Sequence, residues 1–512
     1  MKKPEWREPA DLSLSRVGLV LALVAAALLR FWALSQGIGF NPGVDEPEIM
    51  ERAVRMIKTG DLNPHFFDYP TLYMYVQAVV AVARFLTGAM AGTWSALAQA
   101  HTADFYLWGR AVTALLGTAT VWLVYRIGLR WGAQTALLGA VLLAVMPMHV
   151  LESHYVLTDV PATFLVMLTC LLSLRANERA TLTAFALAGA AAGLAGATKY
   201  NAVLAVLMPL TACAMTPSVR PSRAVAALWT VAGLLAAFFI AAPYTFLDLP
   251  HFLNQFARLS SEYKAPPITD EPIWIIYLKY LRIALQWPGT ILVFLGVISA
   301  LVRVLVGPDR LKWALVTMFP LVHFKLISGQ NIIYGRYLLP LIPFLSLLAG
   351  AFIVWLVASM HRMQFSPRWR NLVTVGLTII AIAPPAYSAI RYDADASKTW
   401  TQGLAYEWIR REVPAGSHIR LEGSLAIKLP PTYKTSYVKQ LRLSSGDVYA
   451  GSGIQYLVAS SQCYGPYFET PARFPDEYAD YQEIFRQTEE VARFRPSGDH
   501  PGPELIILKV KP

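Results

Sequence analysis

The sequence predicts a polytopic α-helical membrane protein with about 11 transmembrane helices and a small C-terminal α/β domain. Of its 512 residues, 55% are hydrophobic and 15% are charged, whereas soluble proteins carry about 25% charged residues. Apolar runs long enough to span a bilayer recur between residues 17 and 390, and residues 391–512 have an ordinary soluble composition. We therefore expect a membrane domain over 1–390 and a soluble domain over 391–512.

The apolar runs define the predicted spans in chain order. The first run follows Lys2, Lys3, Arg7 and Arg16 and has no clear small-x-small cleavage site beside it, which indicates an uncleaved signal anchor. The predicted spans are 15–36, 105–125, 132–150, 156–175, 181–197, 200–216, 225–246, 284–305, 312–328, 333–358 and 370–390.

Charge in the connecting loops predicts the orientation of these spans. The net charge is +11, and much of the excess lies in alternate short loops on the side of the N-terminus. The positive-inside rule makes that side cytoplasmic and, with an odd number of spans, places the C-terminal domain outside the cell membrane. Charge arranged in this way orients membrane proteins, so it does not indicate nucleic-acid binding. The basic residues of these loops are Arg126, Arg130, Arg175, Arg179, Arg220, Arg223, Arg303, Arg310, Lys312, Arg362, Arg368 and Arg370.

Residues 71–92 are apolar but contain Gln77 and Arg84. A twelfth span here would reverse every later loop, so we interpret the segment as a juxtamembrane or re-entrant helix. It would lie within a first outer loop over residues 37–104, and loops of that length are usually functional.

The tail has the alternation of an α/β domain. A helix is predicted over 400–411 and strands over 418–421, 454–459 and 505–510. The three cysteines include no C-x-x-C pair, so neither a thiolate metal site nor a disulfide framework is indicated.

The adjacent carboxylates Asp45 and Glu46 follow the first span within a few residues, and Glu48 comes next. Ionised acids beside hydrocarbon are costly, so they indicate a functional site. Such an acid can act as a general base or help to hold a divalent ion. The alternative is helix capping, with Asp45 at the N-cap, Pro47 in the first turn and Glu48 at N3.

Further polar residues lie on the same predicted face. His65 and Asp68 are in the first loop, and His154 and Asp159 precede or open the span at 156–175. The candidates for contacting an acceptor or a metal ion are Glu48, His65, Asp68 and His154. Asp159 either joins the acids of the first loop or serves only as part of a helix start. Histidines such as His149 and His154 often only satisfy a hydrogen bond.

Three basic residues lie at outer span ends, where basic residues are otherwise scarce: Lys199, Lys325 and Arg336. Ammonium and guanidinium groups suit a lipid phosphate or diphosphate. Snorkelling to head groups is the alternative for each residue singly. Trp287, within Gln286–Gly289, is either part of an interfacial aromatic wall or a plain membrane anchor.

At these residues the chain resembles the C-type superfamily of membrane glycosyltransferases. It is most similar to the family-39-like branch, which contains the protein O-mannosyltransferases and the aminoarabinose transferases of lipid A. The resemblance spans about residues 15–390. The matching elements are Asp45-Glu46, Gly60-Asp61, Pro70–Tyr73, Arg110, Leu157–Asp159, Thr198-Lys199 and Arg336–Pro340.

The resemblance implies transfer of a sugar from a polyprenyl-phosphate carrier to a glycan, lipid or protein acceptor on the outer face. It implies Asp45 as catalytic base, Glu46 beside it and Asp159 in support. Lys199, Arg336 and Tyr337 would contact the carrier phosphate, and Lys325 is added from topology alone. The sequence indicates no definite cofactor and leaves the use of Mg²⁺ or Mn²⁺ open.

Two features depart from better-known members of this branch. Gly43-Val44 precedes Asp45 where the lipid A branch commonly has His-Pro, and the large β-trefoil insertion of the protein mannosyltransferases is absent. Two other functions remain as alternatives: a transporter or flippase of lipid-linked saccharide, and a non-enzymatic cell-envelope assembly or sensor protein. A transporter would need charged residues deep within its spans or inverted repeats.

Overall fold

The chain folds into two compact units, as seen in a computed structural model that describes residues 9–41, 43, 45–217, 219–264, 271–423, 427–442, 449 and 451–511. The membrane unit comprises Met1–Leu34 and Glu48–Tyr392, and the tail unit comprises Ser35–Pro47 and Asp393–Pro512. The short segment after the first helix, which opens the predicted outer loop, therefore belongs to the tail unit.

The chain is mainly helical, as the apolar runs predict. Among the residues that the structure describes, four 3₁₀ segments cover Leu97–Gln99, Thr102–Phe105, Tyr200–Val206 and Gly335–Leu341. The helices as far as residue 264 are α1 (Pro9–Phe31), α2 (Glu46–Thr59), α3 (Leu72–Met90), α4 (Tyr106–Gly128), α5 (Ala133–Ala144), α6 (Pro147–Glu152), α7 (Asp159–Arg179), α8 (Leu182–Thr198), α9 (Leu207–Met215), α10 (Arg223–Ala241), α11 (Tyr244–Leu247) and α12 (Leu249–Lys264). The remaining helices are α13 (Ile273–Val306), α14 (Arg310–Ile327), α15 (Ile342–Arg362), α16 (Pro367–Ala396), α17 (Thr401–Glu412), α18 (Ser461–Glu469) and α19 (Pro475–Gln487).

Each predicted span has a helical counterpart in this order. Within the described part of the chain, 7 helical stretches are long and apolar enough to cross a membrane, and α5, α8 and Tyr200–Met215 are shorter apolar helices. One of the 7 is α3, the segment that the sequence analysis placed in the outer loop as a juxtamembrane helix. The helical membrane class is confirmed, and the number of crossings stays a prediction.

Small residues bring α8 and α10 close together. A Cβ atom at Gly189 would lie 1.9 Å from the carbonyl oxygen of Thr230, and one at Gly233 would lie 2.2 Å from that of Ala186. Two helix backbones can approach this closely only where side chains are absent. The contact fixes α8, whose C-terminal end leads directly to Lys199.

Helix α13 is broken near its middle. Gln286 has φ 56° and ψ 170°, and Pro288 follows two residues later. A proline removes a backbone donor and crowds the preceding turn, which accounts for the break. The predicted span at 284–305 thus starts close to the break of a longer helix.

The tail unit contains a five-stranded mixed sheet of β1 (His418–Glu422), β2 (Lys434–Val438), β3 (Tyr456–Ser460), β4 (Thr488–Phe494) and β5 (Leu505–Val510) in the order β2-β1-β3-β5-β4. Strand β1 pairs in parallel with β2 and β3, and β5 pairs antiparallel with β3 and β4. The predicted helix and three predicted strands are present within two residues of their expected bounds.

The end of strand β1 carries a buried acid. Glu422, at the end of β1, accepts hydrogen bonds from the backbone N–H groups of Leu441 and Ser460 and from the hydroxyl of Tyr481. Burial raises the pKa of this carboxyl to about 6, because its effect outweighs the lowering by the three hydrogen bonds. The segment Ser35–Pro47 packs on this unit, where the Phe40 ring lies 5.7 Å from that of Tyr406.

Candidate active site

A buried carboxylate links two basic side chains inside the membrane unit. Asp159 Oδ1 lies 2.5 Å from Lys199 Nζ, and Asp159 Oδ2 lies 4.0 Å from Arg336 Nε. The exposed fractions of the three side chains are only 4%, 12% and 17%. The sequence analysis placed all three residues on one face, and the structure brings them into contact. We call these residues, with Tyr337, the Asp159 cluster.

Helix ends explain why these residues meet. Asp159 is the first residue of α7, and Lys199 directly follows α8. Only two residues join these helices, so they run antiparallel and bring the start of one beside the end of the other. Arg336 lies in the 3₁₀ segment Gly335–Leu341, which packs against α7. Asp159 thus has both the helix-start position and the charged contacts that the sequence left as alternatives.

Tyr337 forms one wall of the cluster. Lys199 Nζ lies 4.7 Å from the centre of its ring, which is within the range of a cation–π contact. Its hydroxyl is hydrogen-bonded to that of Tyr263 at 2.6 Å, and its carbonyl oxygen lies 3.0 Å from Nε2 of the buried His323. The sequence analysis did not identify Tyr263 or His323, since no motif connects them to Tyr337.

Two cavities meet the cluster from different elements. Cavity A, of about 430 Å³, is lined by Arg336 together with Met148, Glu152, Tyr280, Gln286 and Tyr392. Cavity B, of about 280 Å³, is lined by Lys199 and Tyr337 together with Asp68, Tyr69, Tyr200 and Tyr263. Each cavity therefore has one basic residue of the cluster in its wall, and Asp159 lies beside both of these basic side chains.

A third cavity is apolar and larger. It has a volume of about 610 Å³ and is lined mainly by aliphatic and aromatic side chains of α13, α14 and α15, including Trp287, Phe294 and Phe324. Two basic residues, Lys279 and Arg282, also line it. We call it the apolar groove. It uses the same turns of α13 whose other residues, Tyr280 and Gln286, line cavity A.

Asp45 and Glu46 lie at the start of α2. The helix begins at Glu46, so Asp45 has the N-cap position and Glu48 the third helical position, as the capping interpretation expects. Asp45 is partly exposed, whereas Glu46 is fully buried. Glu48 forms an ion pair with Arg52 at 2.6 Å, one turn along the helix.

The candidate acceptor or metal residues have different surroundings. Asp68 is paired with Arg258 of α12 at 2.5 Å and lines cavity B. His154 is buried, with Nδ1 2.9 Å from the Val150 carbonyl oxygen and Nε2 2.7 Å from that of Trp32. Burial lowers its pKa. His154 therefore connects α6 to the end of α1, which agrees with the interpretation of a histidine that satisfies hydrogen bonds.

His65 lies in the loop between α2 and α3, beside other polar groups. Its Nε2 is 2.8 Å from Asp61 Oδ2. The pKa of Asp61 is lowered, chiefly because the backbone N–H of Asn63 donates to it and then because of the bond with His65. The side chains of Asp248 and His251 also lie near His65. The sequence analysis did not identify these last two residues.

Lys325 does not join the Asp159 cluster. It is exposed on α14, whereas His323, two residues earlier, is buried against Tyr337. Two residues correspond to more than half a turn of helix, so Lys325 lies on the side of α14 opposite to His323 and points away from Tyr337. Among the described residues that line cavities A and B, Lys325 does not occur.

Part of this chain matches the model of a known protein family. Residues 64–256 match the family model of dolichyl-phosphate-mannose-protein mannosyltransferase. The matched range contains Asp159 and Lys199 of the cluster. No curated protein sequence matches this chain.

Solved structures extend the likeness over almost the whole chain. ArnT from Cupriavidus metallidurans in the apo state is 16% identical, with a TM-score of 0.56, and the match covers 96% of this chain and 98% of that chain. Its structure bound to undecaprenyl phosphate is 14% identical, with a TM-score of 0.53 and the same coverage. The chain has the fold of the C-type membrane glycosyltransferases.

A third match belongs to the same class of fold. The archaeal oligosaccharyltransferase AglB from Archaeoglobus fulgidus, in complex with an inhibitory peptide and a dolichol-phosphate, is 12% identical with a TM-score of 0.56. The match covers 95% of this chain and 73% of that chain. The resemblance to the protein mannosyltransferase and ArnT-like branch is thus confirmed at the level of fold. The roles of individual residues stay predictions.

Proposed function

We propose that this protein is a glycosyltransferase that moves a sugar from a polyprenyl-phosphate carrier to an acceptor on the outer face of the cell membrane. The observation that carries the proposal is the position of Asp159, which contacts one basic residue of cavity A and one of cavity B. A transferase needs two substrate sites side by side, with positive charge where the phosphate leaves. The likeness to structures that contain undecaprenyl phosphate and dolichol-phosphate supports a lipid-phosphate donor.

The donor occupies cavity A and the apolar groove in this proposal. Arg336 lines cavity A, and a guanidinium can hold a phosphate through two parallel hydrogen bonds. The groove on α13, α14 and α15 offers apolar side chains to the prenyl chain. Burying apolar area contributes about 25 cal/mol per Å², so a long prenyl chain supplies much of the binding energy.

The acceptor enters through cavity B. Its tyrosines offer flat faces to a sugar ring, and Asp68 and Lys199 offer polar groups to hydroxyls. Tyr263 and Tyr337, which are hydrogen-bonded to each other, form part of its wall. This assignment fits an acceptor that bears a hydroxyl group. The labelled product of the assay described below identifies whether that acceptor is a glycan, a lipid or a protein.

The chemical step is an inverting displacement with Asp45 as the base. The acceptor hydroxyl gives its proton to the Asp45 carboxylate as its oxygen forms a bond to the anomeric carbon. The bond from that carbon to the phosphate oxygen breaks, and the lipid phosphate departs with the electron pair. Arg336 and Lys199 stabilise the negative charge that develops there. Asp159 holds both basic side chains in place, at 4.0 and 2.5 Å.

Transfer by the purified protein in liposomes tests this proposal. The donor is radiolabelled polyprenyl-phosphate hexose, and a membrane extract supplies acceptors. Asp45→Asn should lower kcat by at least about 100-fold, since general-base catalysis contributes about 10²–10⁴-fold. Arg336→Ala should raise the KM for the donor by about 10-fold, because loss of a charged hydrogen bond costs about 1.5–3 kcal/mol.

Arg130→Ala is the matched control, because Arg130 pairs with Glu178 and is separate from the cluster. It should leave both constants unchanged. Near-normal turnover of Asp45→Asn would refute the base assignment. Label that crosses the bilayer without entering any product would instead support a transporter.

A further inference from the structure

We propose that His65, Asp248 and His251 form a binding site for a divalent transition metal ion of the zinc type. One ligand atom from each of the three side chains lies within 4.8 Å of the other two. His65 belongs to the first outer loop, Asp248 precedes α12, and His251 lies in its first turn. The site is separate from the Asp159 cluster, and it does not depend on the proposed transfer reaction.

The donor set and its spacing fit such an ion. Two imidazoles with one carboxylate are typical of zinc sites that keep one position for water. Metal–ligand bonds of 2.0–2.1 Å in a tetrahedron place the ligand atoms about 3.4 Å apart. Asp248 Oδ2 and His251 Nδ1 are 3.6 Å apart. Binding of an ion at Nδ1 requires the ring hydrogen of His251 to move to Nε2, where the Gln255 side chain, whose Nε2 is 2.7 Å away, would have to turn over and accept it. The side chain of His65 is 48% exposed, so an ion can reach it from the solvent.

Neighbouring groups orient the imidazole of His65. Its Nε2–H donates to Asp61 Oδ2 at 2.8 Å, which leaves Nδ1 with the lone pair that a metal needs. Ligating histidines in proteins usually donate their second ring nitrogen in this way. The Asn63 side chain holds the second acid, as its Nδ2 donates to Asp248 Oδ2 at 2.8 Å.

The backbone of His65 adds an independent observation. Its φ is +49°, in the left-handed region that residues with a side chain rarely adopt. Such conformations cost about 1–3 kcal/mol and cluster at functional sites. The strain is held by a hydrogen bond from the His65 N–H to Asn63 Oδ1 and by Gln255, whose side chain accepts from the N–H of Phe67.

A metal ion here would fasten the first outer loop to α12. This helix also supplies Phe256, Leu259 and Tyr263 to the wall of cavity B. The ion would therefore fix that wall without touching the reacting atoms. Two nitrogen ligands favour Zn²⁺ over Mg²⁺, which prefers oxygen.

Metal content of the full-length protein tests the site. The protein is purified in detergent with a tag free of histidine, stripped with a chelator and titrated with Zn²⁺. We expect one equivalent to bind, and Co²⁺ in its place should give the visible absorption of a four-coordinate ion. His65→Ala and His251→Ala should each weaken binding at least 10-fold, while excess Mg²⁺ should not displace Zn²⁺.

His418→Ala is the control, because His418 lies in strand β1 of the tail unit. It should bind Zn²⁺ as the unaltered protein does. Equal Zn²⁺ binding by the unaltered protein and His251→Ala would overturn the site, and so would the absence of stoichiometric binding to folded protein. Helical circular dichroism shows whether each variant is folded. Because the readout is the metal, failure of the transfer assay has no bearing on it.

Discussion

Removing the charge of Asp159 should destabilise the membrane unit by an amount that depends on Lys199. The two side chains are 2.5 Å apart, with exposed fractions of only 4% and 12%. Breaking a buried ion pair by deleting one partner costs about 3–5 kcal/mol, because a buried charge is left uncompensated. We expect Asp159→Asn to cost about 3 kcal/mol, at the lower end because the amide oxygen still accepts a hydrogen bond.

Lys199→Met should cost a similar amount, about 3 kcal/mol, since it leaves the carboxylate buried with Arg336 at 4.0 Å. The double variant has neither charge, so its cost should be well below the sum of the two single costs. We expect a coupling energy of about 2 kcal/mol between the two sites. This magnitude separates a buried pair from a surface pair, for which about 0.2–1 kcal/mol is usual.

Reversible unfolding in mixed detergent and dodecyl sulfate micelles measures these free energies. Arg130 and Glu178 provide a matched cycle, because their side chains are 15% and 50% exposed and also 3.1 Å apart. Their coupling should stay below about 1 kcal/mol. If Asp159 and Lys199 proved additive within about 0.5 kcal/mol, the buried pair would not exist in the folded protein and the reasoning would be refuted.

Three further outcomes are expected. Tyr337→Phe and Tyr263→Phe should each cost about 1 kcal/mol in the same unfolding assay and be non-additive, because they share one hydrogen bond of 2.6 Å; additive costs would contradict this. Leu295→Trp, which fills the apolar groove, should raise the KM for a long-chain donor several-fold but not that for a short-chain analogue. Ile298→Trp, on the same helix outside the groove, should change neither constant. The pKa of Glu422 is raised from 4.5 to about 6, so its contribution to stability is complete below pH 4.5 and is lost as the pH rises through 6. That loss is about 2 kcal/mol. The protection of strand β1 amides against hydrogen exchange should fall by this amount as the pH rises, and Glu422→Gln should remove that pH dependence. Protection in the unaltered protein that does not change with pH would contradict the prediction.

The elements of this fold could be predicted because their signals are local. An apolar run of about 20 residues specifies a membrane helix whatever its neighbours are, since every backbone group must be paired within it. The start of α7 at Asp159 follows from Thr158 and Pro161 in the same way. Strands β1, β3 and β5 are rich in β-branched and aliphatic residues and were identified within two residues.

Part of the candidate site was also predictable. Lys199 and Arg336 are basic residues on the predicted outer face, where the sequence has few of them, and the structure places both beside Asp159. Lys325 satisfied the same criterion and lies elsewhere, because its position around α14 depends on which face packs. The sequence gives the spacing of residues along a helix but not the direction in which each face points.

The sequence by itself thus determined the class of protein, the order of its helices, the tail and the identity of all four residues of the Asp159 cluster. Only the tertiary structure placed Tyr263 against Tyr337 and brought Asp248 and His251 to His65 across more than 180 residues of chain. It also assigned Ser35–Pro47 to the tail unit. Contacts between distant segments depend on how whole elements pack, and no local pattern of residue types encodes that packing.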